Sequence, residues 1–299
     1  MNTCKACTVI VIALAITFVC SGCTKPPEED YNLYEDMRVY LQEKLNEMEG
    51  IAEREDIADY YENYILDLSL IPRLVFGSKK LEIHMYSYES DKMAVASISQ
   101  FEVPPDSENF TDVAFTVRPK ANIRAPFMHG DALKGMAGMD TSFSMDFWNV
   151  DQVSIDWEEF FGDQIAKLDE GHDLVAPYQR TGEDRGKYTK HLIPYKWEDY
   201  RIEIEEPDTT DENERKAYAD AALAAFKLYA DAYLTSLARL EAEDDTALID
   251  GNKEGLAALM EIALAEDPAA KLGLLLFGDQ AEFEKYFLDA FWRAQYFGV

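Results

Sequence analysis

Cysteine is nearly missing from this chain. The four that exist, Cys4, Cys7, Cys20 and Cys23, all lie in the first 23 residues. The rest therefore has no internal disulfide, no cysteine-ligated iron–sulfur cluster and no thiol nucleophile. Cys4 and Cys7 form a C-x-x-C, but it opens directly onto an apolar run and is not read as a metal or redox site. Basic residues are also scarce: 28 Lys and Arg stand against 58 Asp and Glu, a formal charge of −30. That excludes a nucleic-acid partner, which needs a basic footprint. It also implies a strongly solvated, self-repelling surface. No G-x-G-x-x-G or Walker A loop signals a dinucleotide or nucleotide fold. No G-x-S-x-G elbow is present. The histidines at 84, 129, 172 and 191 lack H-E-x-x-H spacing, so no catalytic zinc is expected.

Long apolar runs are limited to one, the twelve residues from Thr8 to Val19, with Lys5 before it. It is short for a bilayer span and has the proportions of a signal-peptide core. Ser21-Gly22-Cys23 follows, and resembles a bacterial lipoprotein cleavage site with Cys23 as the lipidated residue. This predicts a targeting segment over 1–23 and a membrane-anchored extracytoplasmic protein. The rival reading is a bipartite signal for entry into a plastid.

What the chain has in plenty is apolar surface. Hydrophobic residues make up 47% and aromatics 12%, which allows a sizeable core and excludes disorder throughout. Leu33, Met37, Tyr40, Leu41 and Leu45 recur at helical spacing, as do Ile57, Tyr60, Tyr61, Tyr64 and Ile65. Two helices are expected there. Leu81–Tyr88 alternates, with Glu82, His84, Tyr86 and Tyr88 on one face. Met93–Phe101, Val113–Val117 and Ser142–Trp148 are further strands, and Arg201–Ile204 is one more. Their short connections predict an antiparallel meander, because parallel strands need longer crossovers. Helices are expected over Trp157–Leu168, capped by Asp156, and from Asp211 to about Leu240. Two more are expected over Lys253–Ala265 and Asp279–Ala294. No linker or internal repeat splits 24–299. The expected architecture is one α/β domain, a three-layer α/β/α sandwich on a central antiparallel sheet.

The stretch from Arg118 to Asp131 carries the chemistry. Arg124, His129 and Asp131 fall within eight residues, beside Phe127 and Met128. A polar cluster among large apolar groups suits a flat, partly charged ligand. Taken alone, Asp131 next to Gly130 at a strand exit reads as a turn residue. Asp267-Pro268 likewise reads as a helix start.

Together these segments resemble the ferredoxin-dependent bilin reductase family. Pro126-Phe127-Met128-His129-Gly130-Asp131 is similar to that family's Pro, apolar pair, Gly and Asp at a central strand. Asp267-Pro268-Ala269-Ala270 leading to Phe277-Gly278 is similar to its Asp-Pro-Ala-Arg segment. Glu282–Phe287 resembles its C-terminal helix, and Trp197, Tyr200 and Asp211–Arg215 resemble the strand and long helix between. The resemblance implies reduction of a linear tetrapyrrole of the biliverdin type with no bound cofactor. Reduced ferredoxin, or a similar small carrier, would deliver electrons singly. Asp131 and Asp267 would be the proton donors, with Glu82 or His84 as a further acid. Arg124, Lys134 and Lys271 would meet the propionates, and His129 the substrate. A carboxyl in an apolar pocket suits this role, since desolvation raises its pKa. Two alternatives stand beside it: a membrane-tethered protein that binds a tetrapyrrole without chemistry, and a reductase of an opened chlorophyll catabolite.

Overall fold

Antiparallel pairing throughout organises the chain. The computed structural model describes residues 32–55, 57, 64–67, 80–102, 111–134, 141–151, 155–181, 195–266 and 268–298. Among the described residues, eight strands form one sheet: β1 (Ala52–Glu53), β2 (Tyr64–Asp67), β3 (Lys80–Glu89), β4 (Met93–Glu102), β5 (Thr111–Pro119), β6 (Phe127–Lys134), β7 (Ser142–Trp148) and β8 (Ile202–Glu205). From β3 to β8 each strand pairs with the next, while the short β1 and β2 share the free edge of β3. The meander is as expected, with one strand more than the sequence suggested. Phe127–Lys134 is a full strand, so Asp131 sits mid-strand, not at an exit.

Strand alternation sends side chains to two covered faces. On one, Phe115, Met128, Phe143 and Phe147 pack against α1 (Leu33–Asn46), α2 (Trp157–Phe161), α3 (Ile165–Val175) and the long α4 (Glu212–Arg239). Phe226 of α4 is the hub, edge-on to Phe115 at 5.1 Å and to Phe143 at 6.3 Å. On the other face, Leu81, Ile83, Phe127 and Trp148 pack against α5 (Thr246–Glu266), α6 (Pro268–Phe277) and α7 (Gln280–Glu284), which runs on into a π-helical turn, Lys285–Phe291. This is an α/β sandwich with helices on both sides of an antiparallel sheet.

Local chemistry sets the element ends. Asp156, Asp211 and Asp279 each accept a backbone N–H of the turn they open. Gly162, at φ 53°, breaks the helix expected over Trp157–Leu168 into α2 and α3, because few other residues tolerate that conformation. The second N-terminal helix expected around Tyr64 and Ile65 is replaced by β2, paired with β3. Short tyrosine-rich segments carry helical and strand spacing at once, and the open edge of β3 decides between them. Residues 58–63 of that segment, and the glycine turn at 135–138, lie outside the described residues.

Tyr233 of α4 pins the β5–β6 connection. Its hydroxyl donates to the Pro126 carbonyl at 2.7 Å, in a fully buried setting. Tyr233→Phe leaves that buried carbonyl short of a donor. It should lower unfolding stability by about 1–2 kcal/mol, read by urea denaturation with an unchanged m-value.

Candidate functional site

The face under the C-terminal helices is not a plain apolar core. Alternate positions of the central strands bring polar groups into it, interleaved with apolar ones such as Ala114 and Leu133. Ser97 and Ser99 come from β4, Asp112, Thr116 and Arg118 from β5, His129 and Asp131 from β6, and Ser144 and Asp146 from β7. The pairing register aligns them: Thr116 opposes His129, His129 opposes Asp146, and Asp131 opposes Ser144. The segment from α6 to the C-terminus closes over this layer.

Part of the layer is satisfied internally. The Ser144 hydroxyl donates to Asp131 Oδ1 at 2.6 Å. Ser99 and Tyr286 share a hydrogen bond at 2.5 Å, joining sheet to cover. Lys196 holds Asp146 Oδ2, and both side chains are buried. Ser97 shares a hydrogen bond with Ser87 at 2.9 Å. Much of the remainder is not satisfied. Among the described residues no partner meets Asp112 Oδ1, Thr116 Oγ1, His129 Nδ1, Asp146 Oδ1, the indole N–H groups of Trp148 and Trp292, or any nitrogen of Arg118. A buried polar atom without a partner costs about 1–3 kcal/mol, and native folds hold few of them. A concentration in one layer marks a place built for something other than stability.

Electrostatics point the same way. Burial pushes the Asp112 carboxyl well above the usual carboxylate range, and the Asp131 charge adds to it. An acid beside another carboxylate gives up its proton less readily. Burial also raises Asp146, although Lys196 pulls it back. His129 is pushed down to about 3 by burial and by Lys196. It is therefore a neutral imidazole at ordinary pH. Its ring touches two indoles that also stack on each other at 5.7 Å: it lies 4.7 Å from Trp148 and 5.2 Å from Trp292, the latter nearly parallel at 28°.

The residues expected from sequence are only partly brought together. Asp131 and His129 share the layer. Glu82 and His84 do not: alternation along β3 puts them on the opposite face, 3.9 Å from one another. A role beside Asp131 is closed to them. Lys134 is likewise on the far face, in line with Met128 and Ala132. Arg124 is taken up by Glu243 at 2.8 Å and Asp245 at 3.0 Å, clamping the β5–β6 connection to the α4–α5 turn. Lys271 is exposed and donates to the Glu266 carbonyl at 3.0 Å. Asp267 and Cys23 lie outside the described residues. Asp112, Arg118 and Asp146 were missed, although the alternation of β5 and β7 would have grouped them with Asp131.

A concavity of about 390 Å³ lies against α3, away from this layer, and is lined by Asp169, His172, Trp197 and Tyr200 among others. None of the residues expected from sequence to act lines it.

No protein-family model matches the chain, and no curated protein matches it in sequence. Among solved structures it is similar to the phytochromobilin synthase of tomato in complex with biliverdin. The two superpose with a TM-score of 0.64 at 16% identity, over 90% of this chain and 85% of that one. They share a fold. At such low identity the likeness to the tomato synthase concerns the backbone, and the chemistry must be argued from the layer itself.

Proposed function

We propose that the protein binds an open-chain tetrapyrrole between the sheet and the C-terminal helices and reduces it. The observation that carries the reading is the layer of buried polar atoms without partners. A bilin is flat and conjugated, with pyrrole N–H donors, lactam carbonyls and carboxylate arms. Asp146 Oδ1 is placed to accept a pyrrole N–H, and the indole N–H groups and His129 to serve the lactam ends. A flat pigment would take the place of the Trp292 indole, which stacks on both His129 and Trp148. The likeness of fold to a biliverdin-bound protein supports this choice of ligand.

Reduction of one pigment double bond takes two electrons and two protons. The electrons come singly from a reduced carrier of the ferredoxin type, which is oxidised twice. The Asp112 carboxyl, raised by burial and by Asp131 beside it, is the proton donor of the pair and gives its proton to the radical formed by the first electron. Solvent then reprotonates the pair. With 58 acids against 28 bases, the protein would repel an acidic carrier, so the reaction with one should speed up as salt screens the charge. The N-terminal segment fits a tether through Cys23. Among the described residues, no helix is long and apolar enough to cross a membrane.

Biliverdin added to the purified protein should bind with a change in its visible spectrum. Supplying a photoreduced ferredoxin system should then shift the absorbance to shorter wavelength as conjugation is lost. Stable binding with no such shift would assign the protein to tetrapyrrole binding alone. No binding at all would remove the reading.

A further inference from the structure

Arg118 is the most unusual residue in the molecule. It is fully buried, and none of its three guanidinium nitrogens meets an acceptor among the described residues. Aromatic rings surround it instead: Phe297 at 4.8 Å, and Phe127 and Trp292 each at 5.4 Å from the guanidinium carbon. Their faces steady the cation but neutralise nothing. The neighbouring charges that act on it are those of other cations. Arg54 donates to the Ala290 carbonyl at 3.0 Å and the Asp289 carbonyl at 3.3 Å. Arg293 pairs with Glu89 at 2.5 Å and donates to the Ala94 carbonyl. After burial itself, the charges of Arg54 and Arg293 are what pull the Arg118 pKa far down. A chain with 58 acidic residues has placed none where this guanidinium could reach it among the described residues. A buried, uncompensated charge is strongly destabilising unless an anion completes it.

We propose that Arg118 is the seat for a carboxylate arm of the ligand, held as a two-pronged pair beneath the C-terminal segment; this rests on the tetrapyrrole reading. The fork of a guanidinium matches a carboxylate in plane and spacing, and the surrounding rings match a flat, conjugated body attached to it. The position fits. Arg118 stands two residues along β5 from Thr116, which opposes His129, so a side arm can run from a pigment on His129 to the Phe127 end of the layer. The other cations assigned to the propionates from sequence are not available to this end. Arg124 is bound to Glu243 and Asp245, Lys134 faces the other way, and Lys271 is exposed.

The test titrates biliverdin and its dimethyl ester, in which both carboxylates are masked, into wild-type protein and R118M. Wild type should prefer the free acid by roughly thirtyfold or more, and R118M should lose that preference by weakening the acid alone. Ligand-free R118M should also melt at a higher temperature than wild type, because an uncompensated buried charge has gone. Equal binding of acid and ester by wild type overturns the assignment and leaves the tetrapyrrole reading intact. A preference that survives in R118M, or a lower melting temperature of that variant without ligand, overturns it too. Failure of both pigments to bind removes the tetrapyrrole reading, and the carboxylate seat with it.

Discussion

Asp131→Asn should keep pigment binding within about threefold of wild type while slowing reduction by about 10²–10⁴-fold, the usual contribution of a positioned acid. The amide keeps the shape and can still accept from Ser144, now 2.6 Å from Asp131 Oδ1. What it loses is the second member of the carboxyl pair with Asp112. The pH dependence follows from the same pair. Asp112 is raised by burial and then by Asp131, so it keeps its proton to higher pH in the folded protein than in the unfolded chain. The reduction rate should therefore fall as pH rises through that elevated value. Stability should fall in the same direction: above the ordinary carboxylate range the unfolded chain has already released a proton that the folded protein still holds. Single-turnover absorbance with a prereduced carrier measures the rate, and thermal melts across pH measure the stability. A variant that reduces at the wild-type rate would strip Asp131 of its role.

Gly130→Ala should be the most damaging small substitution on the sheet. Gly130 lies between His129 and Asp131, and a Cβ there would come within 2.5 Å of both the Phe115 ring and the Ser144 carbonyl oxygen. The ring can yield only by pushing on Phe226, packed against it at 5.1 Å. The carbonyl belongs to β7 and can yield only by opening the β6–β7 ladder. Overpacking of this kind costs about 1–3 kcal/mol, or roughly 2–10 °C in melting temperature for a chain of this size. The same displacement moves Asp131 off Ser144, so reduction should suffer along with stability. A melting curve superimposable on wild type would show that the core has slack that this packing does not suggest.

The meander was legible because its strands announce themselves by alternation and by short, turn-rich connections. Ser142–Trp148 came out to the residue, and Asp211 marked the start of the long α4. The candidate site was legible only in part, for a physical reason. Ser97 and Ser99, Thr116 and Arg118, and Ser144 and Asp146 each repeat at every second position, which on a sequence reads as a solvated sheet face. Here that face is covered, and nothing local tells a buried polar stripe from an exposed one. Helices that arrive more than a hundred residues later decide it. The same ambiguity misplaced Glu82 and His84: their alternation was read correctly, but which face meets the C-terminal cover depends on those distant helices. Asp131 was found from a motif and yet set at a strand exit, because Gly130 looked like a turn. The glycine instead makes room for Phe115 across the sheet.

The π-helical turn of Lys285–Phe291, closed by the Trp292 N–H on the Phe287 carbonyl at 3.0 Å, amounts to one residue more than an α-helix would hold. One residue in a helix is a rotation of about 100°. The indole of Trp292 is therefore aimed at His129 by a single surplus backbone unit, and whatever shape of molecule the protein admits is tuned there by chain length as much as by side-chain identity.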